Sequence, residues 1–279
     1  MSTVILRRRR LGHTSCREIA NKSQQGIIPV RNDGVFPDDV DTVIRWGTTS
    51  NVPTRNVINR AEAIHRVNDK SEFRRVLDEH DLCPATWWHF RDVPADAYPV
   101  IVRPQRHAQG RHLYFCENQQ MLINATQHCG PNYYISKFIP KVAEYRVFVV
   151  QGRVACVATK VPGNPDDVAW NVARGGRFDN VRWDNWPLKA VKTAIEAFHL
   201  SGLDFSGVDV MTDENGEAYI LELNSAPSLT SDYRQQCMAK CFDYMLANGK
   251  DTIPLIKAKG GYRKFIHPAV CDNAILANN

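Results

Sequence analysis

Apolar and polar residues alternate along many short stretches of the chain, and this period of two predicts strands. The first third holds two of them, at Thr3–Leu6 and Asp41–Arg45, with a helix between them that Ser15 is expected to cap. The later predicted strands are Thr86–Phe90, Pro99–Arg103, His112–Cys116, Tyr133–Phe138, Glu144–Gln151, Val154–Val161, Ser206–Thr212 and Glu217–Asn224. The middle of the chain is therefore expected to be rich in sheet.

A second pattern, with apolar residues three and four positions apart, predicts helices. It covers Lys70–His80, Pro187–His199 and Asp232–Leu246, and Asp69 or Asn68 is the expected cap of the first. Helices and strands interleave, so the fold class predicted is α+β with an α/β unit at the start.

The last two predicted strands carry the clearest chemical signal. Asn215-Gly216 favours a hairpin turn between them. With a loop of two or four residues, side-chain alternation places Asp209, Glu222 and Asn224 on one face. Two carboxylates and an amide oxygen suit Mg²⁺. A solvated acidic face on an ordinary half-exposed hairpin explains the pattern equally well. The opposite face is predicted to hold Val208, Val210, Tyr219, Leu221 and Leu223.

Composition narrows the class of protein. The chain has 279 residues, 43% of them hydrophobic and 23% charged, which indicates a folded protein of one large domain or a few subdomains. No stretch approaches the roughly 20 apolar residues of a membrane helix. In Met1–Arg10 the apolar residues precede the arginines, the reverse of a secretory signal.

Charge and cysteine content point to the kind of partner and compartment. The net charge of +5 suits phosphates or acidic substrates, but it is too dilute to favour nucleic acid. The eight cysteines include no CxxC pair, so free thiols in a reducing cytoplasm are expected rather than zinc or disulfides.

The segments Phe205–Met211 and Tyr219–Ser228 resemble the C-terminal signature of ATP-grasp enzymes, and among these the ribosomal-protein glutamate ligases. The resemblance covers roughly residues 65 to 230. It implies an ATP-grasp fold in which ATP lies between two antiparallel-sheet subdomains. The boundaries it implies are 1–64 for an N-terminal α/β subdomain, 65–140 for a lid and 141–279 for a metal-binding subdomain.

The same resemblance assigns the metal and the nucleotide. It implies that Asp209, Glu222 and Asn224 hold two Mg²⁺ ions on the phosphates of ATP, with Mn²⁺ as an alternative. Asn68–Lys70 is similar to an Asp-Lys motif that precedes the nucleotide strands, and Tyr134–Ile139 is similar to the adenine hinge. The ATP-binding residues so implied are Arg74, Arg103, Gly110, Lys137, Phe138, Ile139 and Glu144.

Three further basic residues match substrate positions of these ligases: Arg146, Lys160 and Arg174. The resemblance implies a ligase that phosphorylates a carboxylate and then couples the acyl phosphate to an amine, on small molecules or on peptides and proteins. A kinase of the same fold acting on a small molecule is the first alternative. A nucleotide-binding or nucleic-acid-binding protein without turnover is the second. Because related folds are often dimers or tetramers, a homo-oligomer is compatible with the resemblance.

Two N-terminal features leave alternatives open. Arg7–Arg10 fit either a solvated charge run or a site for an acidic substrate, and the charge run is the simpler interpretation. Arg45-Trp46-Gly47 ends a predicted strand, where open α/β sheets often bind ligands, and is the better substrate candidate.

Overall fold

A computed structural model describes residues 1–9, 12–105, 112–164, 168, 170, 175–254 and 262–271. Among these residues the strands form three sheets. The helices are α1 (His13–Lys22), α2 (Ala61–Asn68), α3 (Lys70–Asp78), α4 (Gln119–Cys129), α5 (Leu188–Ser201) and α6 (Asp232–Asn248). None of the helices in the described ranges is long and apolar enough to cross a membrane.

The first sheet is parallel, with the order β2-β1-β3-β4. Its strands are β1 (Ser2–Arg7), β2 (Ile28–Arg31), β3 (Val40–Trp46) and β4 (Asn56–Ile58). The two strands predicted here are confirmed, whereas β2 and β4 are too short to show an alternating pattern. The predicted cap of α1 is wrong: Gly12 precedes the helix, and the hydroxyl of Ser15 accepts a hydrogen bond from the backbone N–H of Leu229 (3.1 Å).

The second sheet is antiparallel, with the order β5-β8-β6-β7. Its strands are β5 (Thr86–Trp87), β6 (Val100–Pro104), β7 (Tyr114–Cys116) and β8 (Tyr133–Lys137). Helix α3 leads into this sheet, and the predicted cap is confirmed because the side chain of Asp69 accepts from the N–H of Glu72 (3.1 Å). The helix was predicted to reach His80, but it ends at Asp78 and His80 is exposed.

The third sheet is the largest, antiparallel, with the order β11-β10-β9-β12-β13. Its strands are β9 (Lys141–Val150), β10 (Arg153–Val161), β11 (Arg177–Val181), β12 (Phe205–Asp213) and β13 (Ala218–Asn224). Four of the five were predicted, and β11 was not. One face carries the fully buried side chains of Val147, Val208 and Val210, and α5 packs against the same strands.

The first sheet is fixed to the third through a shared core and through the segment that follows β13. The ring of Trp46 stacks on Phe205 with centroids 5.2 Å apart. A Cβ atom added to Gly47 would lie 2.6 Å from the Cβ of Ala226, so the two backbones approach as closely as they can. The carboxyl end of β3 is thereby held against residues 225–229, directly after the strand with the candidate metal ligands.

Candidate active site

The predicted metal ligands do lie on one face of the third sheet. Asp209 pairs with Glu222 across β12 and β13, and Gly207 pairs with Asn224. On its other side Asp209 pairs with Arg146 of β9. Because successive side chains point to opposite faces, Asp209, Glu222, Asn224 and Arg146 project together.

The apolar side of the hairpin departs from the prediction. A register shift between Asp209 and Val210 makes Val210 pair with Ile220 rather than with Leu221. Ile220 is therefore fully buried, while Leu221 is half-buried. The metal-ligand half of the hairpin lies before this bulge, so its alternation is unaffected.

Asp209 is bound by two cations. Its oxygens accept from Nε (2.5 Å) and Nη2 (2.7 Å) of Arg146, a forked geometry that suits a guanidinium and a carboxylate. Nζ of Lys160 lies 3.6 Å from Oδ2 of Asp209. The exposed fractions of the three side chains are 5% for Asp209, 11% for Arg146 and 8% for Lys160. Burial acts against the charge on Arg146, but Asp209, Glu222 and Glu144 together raise the arginine pKa.

Glu144 is the centre of a second group of buried charges, next to the group around Asp209. Lys160 donates to it at 2.6 Å, and Lys141 forms an ion pair with its other oxygen. Burial tends to lower the pKa of Lys160, whereas Asp209 and Glu144 raise it, and the net shift is upward. The contact of Lys141 with Glu144 was not predicted, because a residue three positions away on a regular strand points to the opposite face. The register of β9 against β12 shifts near Val142, so Lys141 and Glu144 reach each other.

Glu222 has its own cation. Nζ of Lys70, the first residue of α3, lies 2.5 Å from Oε2 of Glu222, and Nδ2 of Asn224 donates to Oε1 at 3.2 Å. Burial favours a raised pKa for Glu222, but Lys70, Arg146 and the hydrogen bond from Asn224 together lower the pKa to about 2. The carboxylate is therefore charged throughout the physiological range.

This oxygen set fits a hard divalent cation. Among the described residues no group of three or more His, Cys, Asp and Glu could hold a metal. The candidate here is of another kind, since it combines two carboxylates with the amide of Asn224, and oxygen donors are what Mg²⁺ accepts. Asp209 and Glu222 each already bind a cationic side chain, which shows that this face attracts positive charge.

Two of the residues predicted for the nucleotide have well-defined contacts in the second sheet and α3. Arg74 is buried and donates to the carbonyl oxygens of Ile220 (3.1 Å) and Leu221 (3.0 Å), at the bulge of β13. Arg103 pairs with Tyr134 in the second sheet, and its buried Nε has no acceptor among the described residues.

The predicted adenine hinge follows β8. The N–H groups of Lys137 and Phe138 donate to Ala85 (2.9 Å) and Pro99 (3.0 Å), and Ile139 follows them half-buried. Gly110 and Arg174 lie outside the described residues.

Of the N-terminal candidates, Trp46, Arg45 and Arg7 make other contacts, and Arg10 lies outside the described residues. Trp46 is 1% exposed and belongs to the core, so it is not a substrate residue. Arg45 donates to the carbonyls of Ser50 (2.5 Å) and Thr48 (3.4 Å), which fixes the loop after β3. Arg7 is buried and donates to the carbonyls of Arg8 and Arg9, both at 3.1 Å.

Similarity to known proteins agrees with this geometry. Residues 92–239, more than half of the chain, match the RimK-like ATP-grasp domain family. The chain belongs to the RimK-like ATP-grasp domain family. This confirms the resemblance inferred from the hairpin motifs, and the ATP-grasp fold with it.

Individual relatives and solved structures match the chain at low sequence identity. A protein of Aeromonas salmonicida named probable alpha-L-glutamate ligase is 28% identical over 185 residues, which cover 62% of this chain and 60% of the relative. The chain thus spans less than two thirds of that relative's length. Among solved structures, the ATP-grasp ligase PsnB with its minimal precursor superposes with a TM-score of 0.64 at 14% identity, covering 88% of this chain and 99% of PsnB. The D-alanine–D-alanine ligase of Bacillus anthracis gives a TM-score of 0.62 at 12% identity over 88% of this chain and 95% of the ligase.

Proposed function

We propose that this protein is an ATP-dependent carboxylate–amine ligase, which phosphorylates a carboxylate and couples the acyl phosphate to an amine. The observation that carries the proposal is the single sheet face on which Asp209, Glu222 and Asn224 adjoin the buried cations Arg146 and Lys160. The two carboxylates and the amide would bind a metal ion together with phosphate, and the two cations beside them would bind an oxyanion. Relatives named as probable alpha-L-glutamate ligases, and the ATP-grasp ligase PsnB solved with a precursor peptide, support the reaction type and a small-molecule or peptide substrate.

Asp209, Glu222 and Asn224 are the residues we assign to magnesium, two ions in the fullest occupancy and with Mn²⁺ as a substitute. Bound there, magnesium would supply positive charge that neutralises the phosphate oxygens during transfer. The chain's own contribution includes keeping the carboxylate of Glu222 ionised. Burial would raise its pKa, but Lys70, together with Arg146 and Asn224, lowers it to about 2.

Arg146, Lys160 and Arg174 are assigned to the substrate side. A guanidinium binds a carboxylate or a phosphate by two parallel hydrogen bonds, and Arg146 already uses this geometry toward Asp209. On loading of the site, Arg146 and Lys160 would turn from Asp209 to the oxyanion, and the carboxylate would be free for the metal. Each charged group exchanges one buried partner for another, so none is left without a counter-charge.

The nucleotide is assigned to the space between the second and third sheets, with subdomain boundaries near residues 64 and 140. Arg103 would contact phosphate, since its Nε has no acceptor among the described residues. In the hinge, adenine contacts would come from carbonyl oxygens of Lys137 and Phe138 and from Ile139, because the first two N–H groups are engaged. Glu144 would bind ribose after release from one of its lysines.

Arg74 and Gly110 complete the nucleotide assignment. The contacts of Arg74 support an indirect role, in which it holds the bulge of β13 and hence the direction of Glu222. Gly110 stays assigned to the phosphate loop on the family resemblance.

The test is to incubate the purified protein with Mg-ATP and pooled amino acids, small amines and peptides, and to measure ADP and inorganic phosphate. The matched pair of variants is Glu222→Gln and Glu217→Gln. The first keeps an acceptor for Asn224 but removes the charge, whereas Glu217 is an exposed carboxylate of the same hairpin that pairs with Lys189. Mass spectrometry of the pool identifies the product.

A ligase releases ADP and phosphate together when a substrate is present, and Glu222→Gln abolishes this while Glu217→Gln does not. ADP with a stable phosphorylated product instead assigns the chain to the kinase alternative. Mg-dependent ATP binding without turnover on any pool supports the binding-protein alternative, and absence of ATP binding contradicts the nucleotide site itself.

A further inference from the structure

Arg234 connects β11 with the segment between β13 and α6. It lies near the start of α6 and is 2% exposed. Its Nη1 donates to the carbonyl of Phe178 (3.3 Å) and to Oδ1 of Asn180 (2.9 Å), and its Nη2 donates to Oγ1 of Thr230 (2.8 Å). One guanidinium thus ties β11 to the segment between β13 and α6.

β11 needs such a tie because it is one of the two edge strands of the third sheet. Within the described part of the chain its ladder pairs only with β10, from Val157 to Val161. An edge strand held on one side opens at a lower free energy than the strands inside a sheet. The hydrogen bonds from Arg234 supply the second attachment, and Oγ of Ser231 adds a bond to Asn180 at 3.2 Å.

The ring of Phe178 lies beside two cations of the candidate site. The guanidinium of Arg146 lies 4.6 Å from the centroid of its ring, Nζ of Lys160 lies 5.7 Å away, and the guanidinium of Arg234 lies 6.0 Å away. The face of an aromatic ring attracts cations at such distances. Arg146 is therefore held between the carboxylate of Asp209 and the ring of Phe178.

The placement of Arg234 is costly for stability, which indicates that it serves another purpose. No ion pair to Arg234 occurs within the described ranges, and its Nε has no acceptor there. Burial lowers its pKa, and the nearby charge of Arg146 acts in the same direction. A well-packed apolar side chain of similar volume is often no less stable than a buried charge.

We propose that Arg234 is a positioning residue, which fixes β11 and, through the ring of Phe178, the direction in which Arg146 presents its guanidinium. The consequence for catalysis rests on the proposed function, in which Arg146 binds the carboxylate or its acyl phosphate. The consequence for the attachment of β11 does not depend on the proposed function.

The structural half is tested by hydrogen–deuterium exchange of the full chain, comparing Arg234→Met with Arg153→Met. Arg153 is a matched control: it is also 2% exposed, it has no ion pair among the described residues, and it lies at the opposite end of β10. We expect exchange in residues 177–181 to become at least about tenfold faster in Arg234→Met and to stay unchanged in Arg153→Met. Equal exchange in the wild type and Arg234→Met overturns the proposal.

The catalytic half is tested on the substrate found in the ligase assay, using kcat/KM for the carboxylate and the Kd of Mg-ATP. Arg234→Met should lower kcat/KM about 10- to 100-fold, because a small misplacement of a binding group costs that much, while the Kd stays within about twofold. Arg234→Lys keeps the charge but cannot span Phe178, Asn180 and Thr230, so we expect the same loss. Wild-type activity in Arg234→Lys would show that charge alone matters and would refute positioning.

The two proposals fail separately. Absence of carboxylate-dependent turnover in the wild type contradicts the ligase assignment, whereas the exchange of residues 177–181 still decides the role of Arg234. If Arg234→Met does not fold, Asn180→Ala removes one acceptor without touching the arginine. It should speed exchange of β11 in the same direction, and unchanged exchange again overturns the proposal.

Discussion

Replacing Asp209 by Asn tests whether the buried ion pair at the centre of the site is a coupled unit. Asp209 receives two short hydrogen bonds from Arg146 and lies 3.6 Å from Nζ of Lys160. Asparagine has nearly the same volume, but it removes the charge and turns an NH₂ group toward the cations. Breaking a buried pair from one side costs about 3–5 kcal/mol. Lys160 retains Glu144 at 2.6 Å, so we expect the lower end of that range.

A double variant of Asp209 and Arg146 gives the measurement that could refute this coupling. Arg146→Met alone leaves Asp209 with Lys160 only, and should also destabilise the fold. Combined with Asp209→Asn it removes both charges, and replacing a buried pair by neutral groups is often close to neutral. Urea unfolding at pH 7 should therefore give a double variant about 2–3 kcal/mol more stable than the sum of the single effects predicts. Additivity within about 0.5 kcal/mol would show that the pair is not coupled, and the exchange of partners proposed for the loaded site would lose its basis.

Two further predictions concern stability. A Cβ atom at position 207 would lie 2.6 Å from the Cβ of Pro227, so Gly207→Ala should destabilise by about 1–3 kcal/mol in urea unfolding, and a loss under about 0.5 kcal/mol contradicts the close approach. His267 is fully buried and its pKa is lowered to about 3, so the neutral ring stabilises the fold above the unfolded value near 6.5, and this stabilisation is lost as the pH falls from there toward 3. The wild type should therefore lose about 3 kcal/mol more than His267→Gln between pH 7 and pH 4, and parallel curves for the two proteins contradict this.

The part of the site that the sequence predicts is the part that depends only on regular alternation. Asp209, Glu222 and Asn224 share a face because no irregularity interrupts the hairpin between them and the end of β13. Ile220 and Lys141 were misplaced or missed for the same reason, since each lies next to a register shift. A bulge depends on how two strands pair, so the pattern of one strand does not show it.

Long-range contacts account for the other misses. β11, with the sequence Arg-Phe-Asp-Asn-Val, has no apolar alternation. Besides its ladder with β10, it accepts hydrogen bonds from Arg234, more than 50 residues further along the chain. Ser15 looked like a helix cap because caps are local, but its partner is Leu229. Trp46 looked like a ligand residue at a strand end, and the core that covers it comes from β12 and α6.

The balance of charge on the site face explains why the chain can be stable before its ligands bind and still be ready for them. The charged groups on this face are Lys70, Lys141, Glu144, Arg146, Lys160, Asp209 and Glu222. These four cations and three carboxylates are paired with one another, so the cost of burial is offset without metal or nucleotide. At the proposed site ATP would bring negative charge and magnesium positive charge, and each would meet groups of the opposite charge. Binding would then require an exchange of partners over short distances, in which the carboxylates turn to the metal and the lysines and Arg146 turn to oxyanions.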